Sequence, residues 1–138
     1  MKKIVLGNSS LQVPNIAVGC MRINSIDSQK AEAFVQKSLE LGANFFDHAD
    51  VYGGGECERI FADAIHMSPQ VRENIFLQSK CGIRPGMFDF SKEHILTSGD
   101  GILKRLKTDA DYAFAKVCKT TNHSKSVTAK YNQCNHDW

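Results

Sequence analysis

The 138-residue sequence lacks a long run of apolar residues, and neither sign of charge dominates it. Its formal net charge is only +2, and its basic residues are scattered rather than clustered. Nucleic acids and anionic membranes bind clustered basic residues, so we expect neither as a partner. The start, MKKIVLG, carries two lysines, but the apolar run behind them is too short for a signal peptide or a membrane span. We therefore expect a cytoplasmic protein.

The sequence also lacks any Cys-x-x-Cys pair, although it contains five cysteines. An odd number of cysteines without such pairs argues against a disulfide framework and against a standard zinc ribbon. We expect free thiols and no bound metal. A weaker alternative is a zinc site made by four soft ligands near the C-terminus, although their spacing differs from that of paired zinc knuckles. These four residues are Cys118, His123, Cys134 and His136.

The 138-residue length suits one domain with a single core, and strand and helix patterns alternate over residues 1–109. The predicted elements are a hairpin around residues 7–10, a strand at 15–19, a helix from Asp27 to Gly42, a strand at 43–47, a helix from near Glu56, a strand at 74–80 and a helix beyond Phe90. This order predicts an α/β fold with a parallel sheet wrapped by helices. Either a doubly wound fold or an incomplete (β/α) barrel fits it.

Helical spacing of apolar residues indicates the buried faces of the first two helices. Asp27 or Ser28 can cap the start of the first helix. The apolar residues at helical spacing are Ala31, Phe34, Val35 and Leu39 in the first helix and Ile60, Phe61, Ala64 and Ile65 in the second. We expect these side chains to pack against the sheet.

The sequence changes character after Asp109. Its last residues contain no leucine or isoleucine, keep no period of two or 3.6, and are rich in Thr, Asn, Ser and Lys. We expect most of this tail, residues 110–138, to be poorly ordered.

Two charged residues end consecutive predicted strands. Asp47 ends ANFFD, and Lys80 ends NIFLQSK. The carboxyl ends of parallel strands meet on one face of such folds, so we expect this carboxylate and this ammonium to lie within reach of each other. Tyr52 lies five residues beyond Asp47, close enough to fold back over the pair.

These three side chains have the chemistry of carbonyl reduction. A phenol has an unperturbed pKa of about 10, and a nearby ammonium stabilises the phenolate. Asp47 would hold Lys80 charged and oriented, and Tyr52 would deliver a proton to a carbonyl oxygen while a hydride reaches the carbon. The alternative is a plain surface ion pair beside a glycine-rich loop.

The other polar residues near these strands have simpler interpretations. Asp50 suits a turn, and Glu56 suits the first turn of a helix. The three glycines 53–55 lack the G-x-G-x-x-G spacing of a dinucleotide-binding turn, so we interpret them as turn residues. Three histidines show no convergent partners, and we expect them on helix surfaces or loops rather than in catalysis: His48, His66 and His94.

The quoted segments resemble the N-terminal part of an aldo-keto reductase. Three motifs occur in the family's order, LGNSSLQVPNIAVGCM, FFDHADVYGGGE and LQSKCG, and the resemblance covers residues 1 to about 109. It implies a TIM (β/α)8 barrel, NADPH as hydride donor and a small aldehyde or ketone as substrate. It also implies Tyr52 as proton donor, with Asp47 and Lys80 as its tuning partners. The implied cofactor-binding positions are Gly19, Cys20, Met21, Arg22 and Asp47.

The resemblance ends where the family continues into its fourth strand. The family has a leucine-rich strand ending in a catalytic histidine after LKRLKTD, where this chain has ADYAFAKVCK. No residue here inherits that histidine, and the strands whose loops bind the cofactor's phosphates have no counterpart. We therefore expect an N-terminal hairpin plus three β/α units of an incomplete barrel, which is either a reductase or a catalytically inactive fragment. Its open sheet edges favour self-association.

We expect the tail to be out-of-register sequence produced by a frameshift or an internal deletion, because the composition changes abruptly at one residue. Reading the coding DNA in the other two frames beyond codon 109 should then reveal a leucine-rich strand ending in histidine. Absence of such a strand in both frames would contradict this origin.

Overall fold

One five-stranded sheet organises the chain. A computed structural model describes residues 1–108 and the backbone of residues 114–117 and 127–130. The strands are β1 (Lys3–Val5), β2 (Gln12–Pro14), β3 (Val18–Gly19), β4 (Phe45–Asp47), β5 (Phe76–Cys81), β6 (Ile83–Arg84), β7 (Met87–Phe88), β8 (Phe114–Val117) and β9 (Val127–Lys130). The helices are α1 (Ser28–Glu40), α2 (Glu56–Ala64), α3 (Pro69–Glu73) and α4 (Lys92–Leu106). None of these helices combines the length and apolar character that crossing a membrane requires.

The strand order of the sheet is that of a barrel segment. The order is β3, β4, β5, β8 and β9; the first four strands are parallel, and β9 runs antiparallel to β8. Helix α2 packs against both α1 and α4, so the three helices form one layer. In a doubly wound sheet the strand order reverses, whereas here the parallel strands follow chain order, as they do in a (β/α) barrel. The predicted incomplete barrel is confirmed.

The N-terminal hairpin was also predictable, whereas several smaller elements were missed. Strands β1 and β2 pair antiparallel across the predicted turn. Helix α3 was missed although Ser68 and Pro69 are a typical helix start, and the Ser68 hydroxyl accepts a hydrogen bond from the Val71 amide at 3.3 Å. The short β6–β7 hairpin was missed despite its central Pro85-Gly86 turn signal.

Strand β8 adds a fourth parallel strand that the sequence pattern did not predict. It pairs with β5 over four residues, Phe114–Val117, and β9 pairs with it in turn. Strand pairing uses backbone groups, which every residue except proline supplies, so a short strand can form without a clear side-chain pattern. The rest of the tail, and with it the prediction of poor order and the zinc alternative, lies outside the described residues.

Helix α1 shows how far helical spacing predicts burial. Asp27, not Ser28, caps the helix, and its carboxylate accepts a hydrogen bond from the Lys30 amide at 2.8 Å. Ala31 and Val35 are fully buried, as predicted. Phe34 is 38% exposed, so its predicted burial was wrong. The buried stripe continues from Val35 to Ser38, and this orientation places Phe34 at its edge.

The core lies between the sheet and the helix layer. Phe46 of β4 and Phe61 of α2 are both fully buried, and their ring centroids lie 4.8 Å apart. Three cysteines of the described residues also lie in this core as free thiols: Cys20, Cys57 and Cys81.

His48 lies in the loop after β4, as expected, but its side chain is in the core rather than on the surface. Its side chain is fully buried, and its ring packs edge-on against Phe61 with centroids 4.6 Å apart. Neither ring nitrogen has a hydrogen-bond partner among the described residues. Burial, and to a lesser extent the charge of Lys80, lowers the pKa of this imidazole to about 3. His48 is therefore a neutral core residue at physiological pH.

The first prediction compares two phenylalanines on helices. Phe61→Ala should lower the free energy of unfolding by about 3–5 kcal/mol, because it leaves a cavity in the core. Phe34→Ala should lower it by about 1 kcal/mol or less, because much of that ring is already in water. Urea unfolding followed by circular dichroism measures both values. Equal losses in the two variants would contradict the described orientation of α1.

The second prediction concerns acid stability. The unfolded chain should protonate His48 near pH 6.5, whereas the folded protein resists protonation down to about pH 3. Between these values the unfolded state binds more protons, so stability should fall as the pH falls, by up to about 1.4 kcal/mol per pH unit from this residue. His48→Phe should flatten the dependence of the free energy of unfolding on pH.

The matched control is His66→Gln, because the His66 side chain is 70% exposed and pairs with Glu32 on the surface. This variant should keep the acid dependence of the parent protein. If His48→Phe and the parent protein lost stability equally between pH 6.5 and pH 4, the burial of a neutral His48 would be refuted.

Candidate functional site

A carboxylate, an amine and a phenol meet at the carboxyl ends of β4 and β5. Asp47 is the last residue of β4, and Lys80 lies next to the end of β5. Lys80 Nζ donates a hydrogen bond to Asp47 Oδ1 at 2.6 Å. The Lys80 and Asp47 side chains are 20% and 26% exposed, so the pair is largely buried and yet accessible to a bound molecule.

Tyr52 completes this group from the turn that follows β4. Lys80 Nζ lies 5.2 Å from the centroid of the Tyr52 ring, within the range of a cation–π interaction. The ammonium therefore contacts the carboxylate and the aromatic ring at once. The structure brings together the three side chains that the strand ends had suggested.

Backbone hydrogen bonds carry Tyr52 to this position. The β4–β5 ladder continues past the end of β4, because the His48 amide donates to the Gln78 carbonyl at 2.8 Å and the Asp50 amide donates to the Lys80 carbonyl at 2.9 Å. The chain then turns through three glycines, 53–55, with φ values of +57°, +65° and +89°. Residues with a side chain rarely adopt this left-handed backbone, which explains three consecutive glycines and confirms their interpretation as turn residues.

Asp50 and Glu56 lie beside the site without joining it. Asp50 is half-buried, and burial raises the pKa of its carboxyl, an effect that the charge of Arg105 opposes. Glu56 lies in the first turn of α2 and pairs with Arg59 on the surface at 3.0 Å. The roles expected for a turn residue and for a first-turn acid agree with these positions.

The segment after β3 borders the same edge of the sheet. Gly19 lies opposite Asp47 in the β3–β4 register, and the Cys20 amide donates to the Asp47 carbonyl at 3.0 Å. The space beside Gly19 is open, since a Cβ atom there would meet nothing within 4 Å. Met21 and Arg22 are exposed next to it. The backbone at Gly19 is therefore open to a bound molecule beside Asp47.

Cys20 differs from its neighbours. Its side chain is 1% exposed, and its thiol points to the Val18 carbonyl, 3.7 Å from Sγ. Burial, and then the charge of Asp47, raises the pKa of this thiol to about 12. Of this predicted cofactor position only the backbone faces the site, because the side chain belongs to the core.

Sequence reasoning missed a buried ion pair behind the site. Glu58 of α2 is fully buried and accepts hydrogen bonds from Ser79 Oγ and from Arg105 Nε, both at 2.6 Å. Burial raises the pKa of the Glu58 carboxyl, and these two hydrogen bonds oppose the rise. The sequence does contain a signal for this burial, because helical spacing puts Glu58 on the same face of α2 as the buried residues Cys57 and Phe61.

Comparison with known proteins agrees with this geometry. Residues 15–116 match the model of the Aldo/keto reductase family. The chain is 37% identical over 121 residues to the oxidoreductase YcsN of Bacillus subtilis and 29% identical over 119 residues to the oxidoreductase YdhF of Escherichia coli. Each alignment covers 79% of this chain and 40% of the relative. The structure of an aldo-keto reductase from Bacillus halodurans, in its holo form, is 34% identical with a TM-score of 0.73, covering 85% of this chain and 40% of that chain.

The chain thus spans about 40% of the length of the curated relatives it matches. The family match continues past residue 109, the end of the resemblance seen in the sequence, and includes most of β8. It covers well over half of the chain and contains Asp47, Tyr52 and Lys80 in their strand and loop positions. This chain belongs to the aldo-keto reductase family.

Proposed function

We propose that the chain carries the proton-donating part of the active site of an NADPH-dependent oxidoreductase that reduces an aldehyde or a ketone. The observation that carries the proposal is the position of the Lys80 ammonium, which hydrogen-bonds to Asp47 and lies over the ring of Tyr52. Family membership supports oxidoreductase chemistry. The choice of NADPH and the role of Tyr52 are the finer steps that the proposal adds.

In this proposal Tyr52 is the general acid. A carbonyl oxygen gains negative charge as its carbon is reduced, and a phenol placed beside it can transfer a proton to it. The Lys80 ammonium, which lies over the ring, would favour the negative charge that proton transfer leaves on the phenol. Asp47, 2.6 Å from Lys80 Nζ, accepts a hydrogen bond from that ammonium and so fixes its direction.

The open space beside Gly19 is where this proposal puts the nicotinamide ring. A reduced nicotinamide, when bound, supplies the hydride for such a reduction. In this proposal Gly19 and the backbone of Cys20 line the ring site, while Met21 and Arg22 offer exposed side chains beside it. Asp47 lies next to this space and would contact both the ring and Lys80. A carbonyl group would then bind between the ring and Tyr52.

The alternative is a catalytically inactive fragment of the family. It is favoured by the short span of the chain relative to its relatives and by the lack of a residue that matches the family's catalytic histidine. His123 and His136 lie outside the described residues. The two proposals differ in whether this chain binds the cofactor.

The third prediction tests the proposed function directly. Titration of the purified protein with NADPH, followed by nicotinamide fluorescence, should give a saturable signal, and the protein should reduce a generic aldehyde. Tyr52→Phe should lower kcat about 10²–10⁴-fold, because it removes the general acid. The Kd for NADPH should stay unchanged, since the phenol acts on the substrate.

Tyr131→Phe is the matched control, because it removes the same hydroxyl group outside the sequence motifs of the site. It should leave both Kd and kcat unchanged. Absence of saturable binding up to millimolar NADPH would refute the enzyme and leave the inactive fragment. Equal turnover in the parent protein and Tyr52→Phe would refute the role of Tyr52 alone.

A further inference from the structure

A buried carboxylate joins three elements on the side of the sheet opposite to Lys80. Glu58 belongs to the first turn of α2, Ser79 to β5 and Arg105 to the last turn of α4. The Glu58 side chain is fully buried, and the Arg105 side chain is only 19% exposed. A charge pair enclosed in this way ties its elements together, because separating the two charges would leave a carboxylate buried without a partner.

The hydrogen bond from Ser79 sets the height of α2 against β5. Ser79 directly precedes Lys80, and successive strand residues point to opposite faces of a sheet. Ser79, 5% exposed, therefore faces the helices while Lys80 faces the site. The contact of Glu58 with Ser79 fixes the first turn of α2 at the level of Lys80.

The same first turn is continuous with Tyr52. The turn Tyr52–Gly55 leads directly into α2, and Glu58 lies six residues beyond Tyr52. A shift of the first turn of α2 along β5 would therefore move the Tyr52 ring relative to the Lys80 ammonium. The 5.2 Å distance between that ring centroid and Lys80 Nζ depends on where α2 begins.

Arg105 also reaches the turn itself. A Cβ atom added to Gly55 would lie 2.7 Å from Arg105 Nε, and one added to Gly101 would lie 2.9 Å from Arg105 Nη1. The guanidinium thus occupies a notch between these two glycines, in contact with the last residue of the Tyr52–Gly55 turn. Arg105 thus packs against the Tyr52–Gly55 turn and also forms the ion pair with the Glu58 carboxylate.

We propose that Glu58 is a positioning residue, whose hydrogen bonds to Ser79 and Arg105 hold the Tyr52–Gly55 turn so that the Tyr52 ring stays over Lys80. The proposal rests on the proposed function, because it assigns Glu58 a role through the candidate general acid. It concerns the placement of two side chains, and it can be measured without cofactor or substrate.

The chain offers a matched control between the same two helices. Lys107 and Asp63 also form an ion pair between α4 and α2, but their side chains are 57% and 65% exposed. This pair lies at the other end of α2, away from the Tyr52–Gly55 turn. Its loss should leave Tyr52 in place, since an exposed ion pair contributes little to a fold.

The fourth prediction uses the nuclear magnetic resonance signal of the Lys80 ε-methylene group in protein labelled with ¹³C-lysine. Lys80→Arg assigns the signal by removing it, and Tyr52→Leu gives its position without the ring current of Tyr52. Ser79→Ala should move the signal most of the way to its position in Tyr52→Leu. Ser79→Thr keeps the hydroxyl and should preserve the parent position, as should Asp63→Asn.

The double variant Glu58→Met with Arg105→Met separates positioning from folding. Replacement of a buried ion pair by apolar residues of similar volume often preserves stability. The double variant should therefore keep its thermal unfolding midpoint and still show the displaced Lys80 signal. A folded double variant, or a folded Ser79→Ala protein, with the parent signal would overturn the proposal.

The outcomes of the third and fourth predictions are independent. If NADPH does not bind, a displaced Lys80 signal still supports the structural link from Glu58 to Tyr52, while the reductase proposal fails. If Tyr52→Phe loses turnover and Ser79→Ala leaves the Lys80 signal in place, the reductase proposal stands and Glu58 loses its positioning role.

Discussion

The alternation of side chains along β4 and β5 decides which residues reach the site and which reach the core. Asp47 and Lys80 point to the open face of the sheet, and they meet there at 2.6 Å. Phe46 and Ser79, one residue earlier in each strand, point to the helices. A shift of either strand by one residue would exchange these sets and place charges in the core, so the register is strongly determined.

The two ion pairs on opposite faces of this sheet differ in exposure. Asp47 and Lys80 keep about a fifth to a quarter of their side-chain surface exposed, whereas Glu58 keeps none. A buried ion pair adds little stability relative to apolar packing, but removal of one partner is strongly destabilising because it leaves a buried charge without compensation. A partly exposed pair remains available to a bound molecule. The geometry therefore separates a pair exposed at both side chains from a pair whose carboxylate only other parts of the chain can touch.

Local signals made much of the fold predictable from the sequence. The cap at Asp27 and the carboxyl-terminal positions of Asp47 and Lys80 are written in a few adjacent residues, and the structure places all three as expected. The burial of His48 and the exposure of Phe34 were not predictable in this way. The exposure of Phe34 depends on how α1 is rotated against the sheet, and the burial of His48 depends on how α2 covers the segment after β4. Contacts between distant residues set both.

Cys20 shows that a residue's place in the sequence does not by itself tell whether its side chain reaches the site. It follows Gly19 directly, and its amide bonds to Asp47, yet its thiol lies in the core. A family resemblance assigns a role to each sequence position. The backbone turn after β3 decides which of these side chains faces the site. Glu58 is the opposite case: it belongs to no motif, and its two partners, Ser79 and Arg105, hold it in place.

The height of the site above the sheet follows from the ladder rather than from the strand ends. Asp47 lies opposite Gln78, two residues before Lys80, so the two strands end at different levels. The Asp50 amide donates a hydrogen bond to the Lys80 carbonyl at 2.9 Å, which extends the pairing of the two strands from Asp47 to the level of Lys80. Tyr52 then stands at the level of Lys80 while its ring reaches back over the ammonium. Without these backbone hydrogen bonds the loop would sample many conformations, and the Tyr52 ring would rarely lie over the Lys80 ammonium. The backbone hydrogen bonds between β4 and β5 therefore hold the Tyr52–Gly55 turn at its start, and the hydrogen bonds of Glu58 to Ser79 and Arg105 hold it at its end.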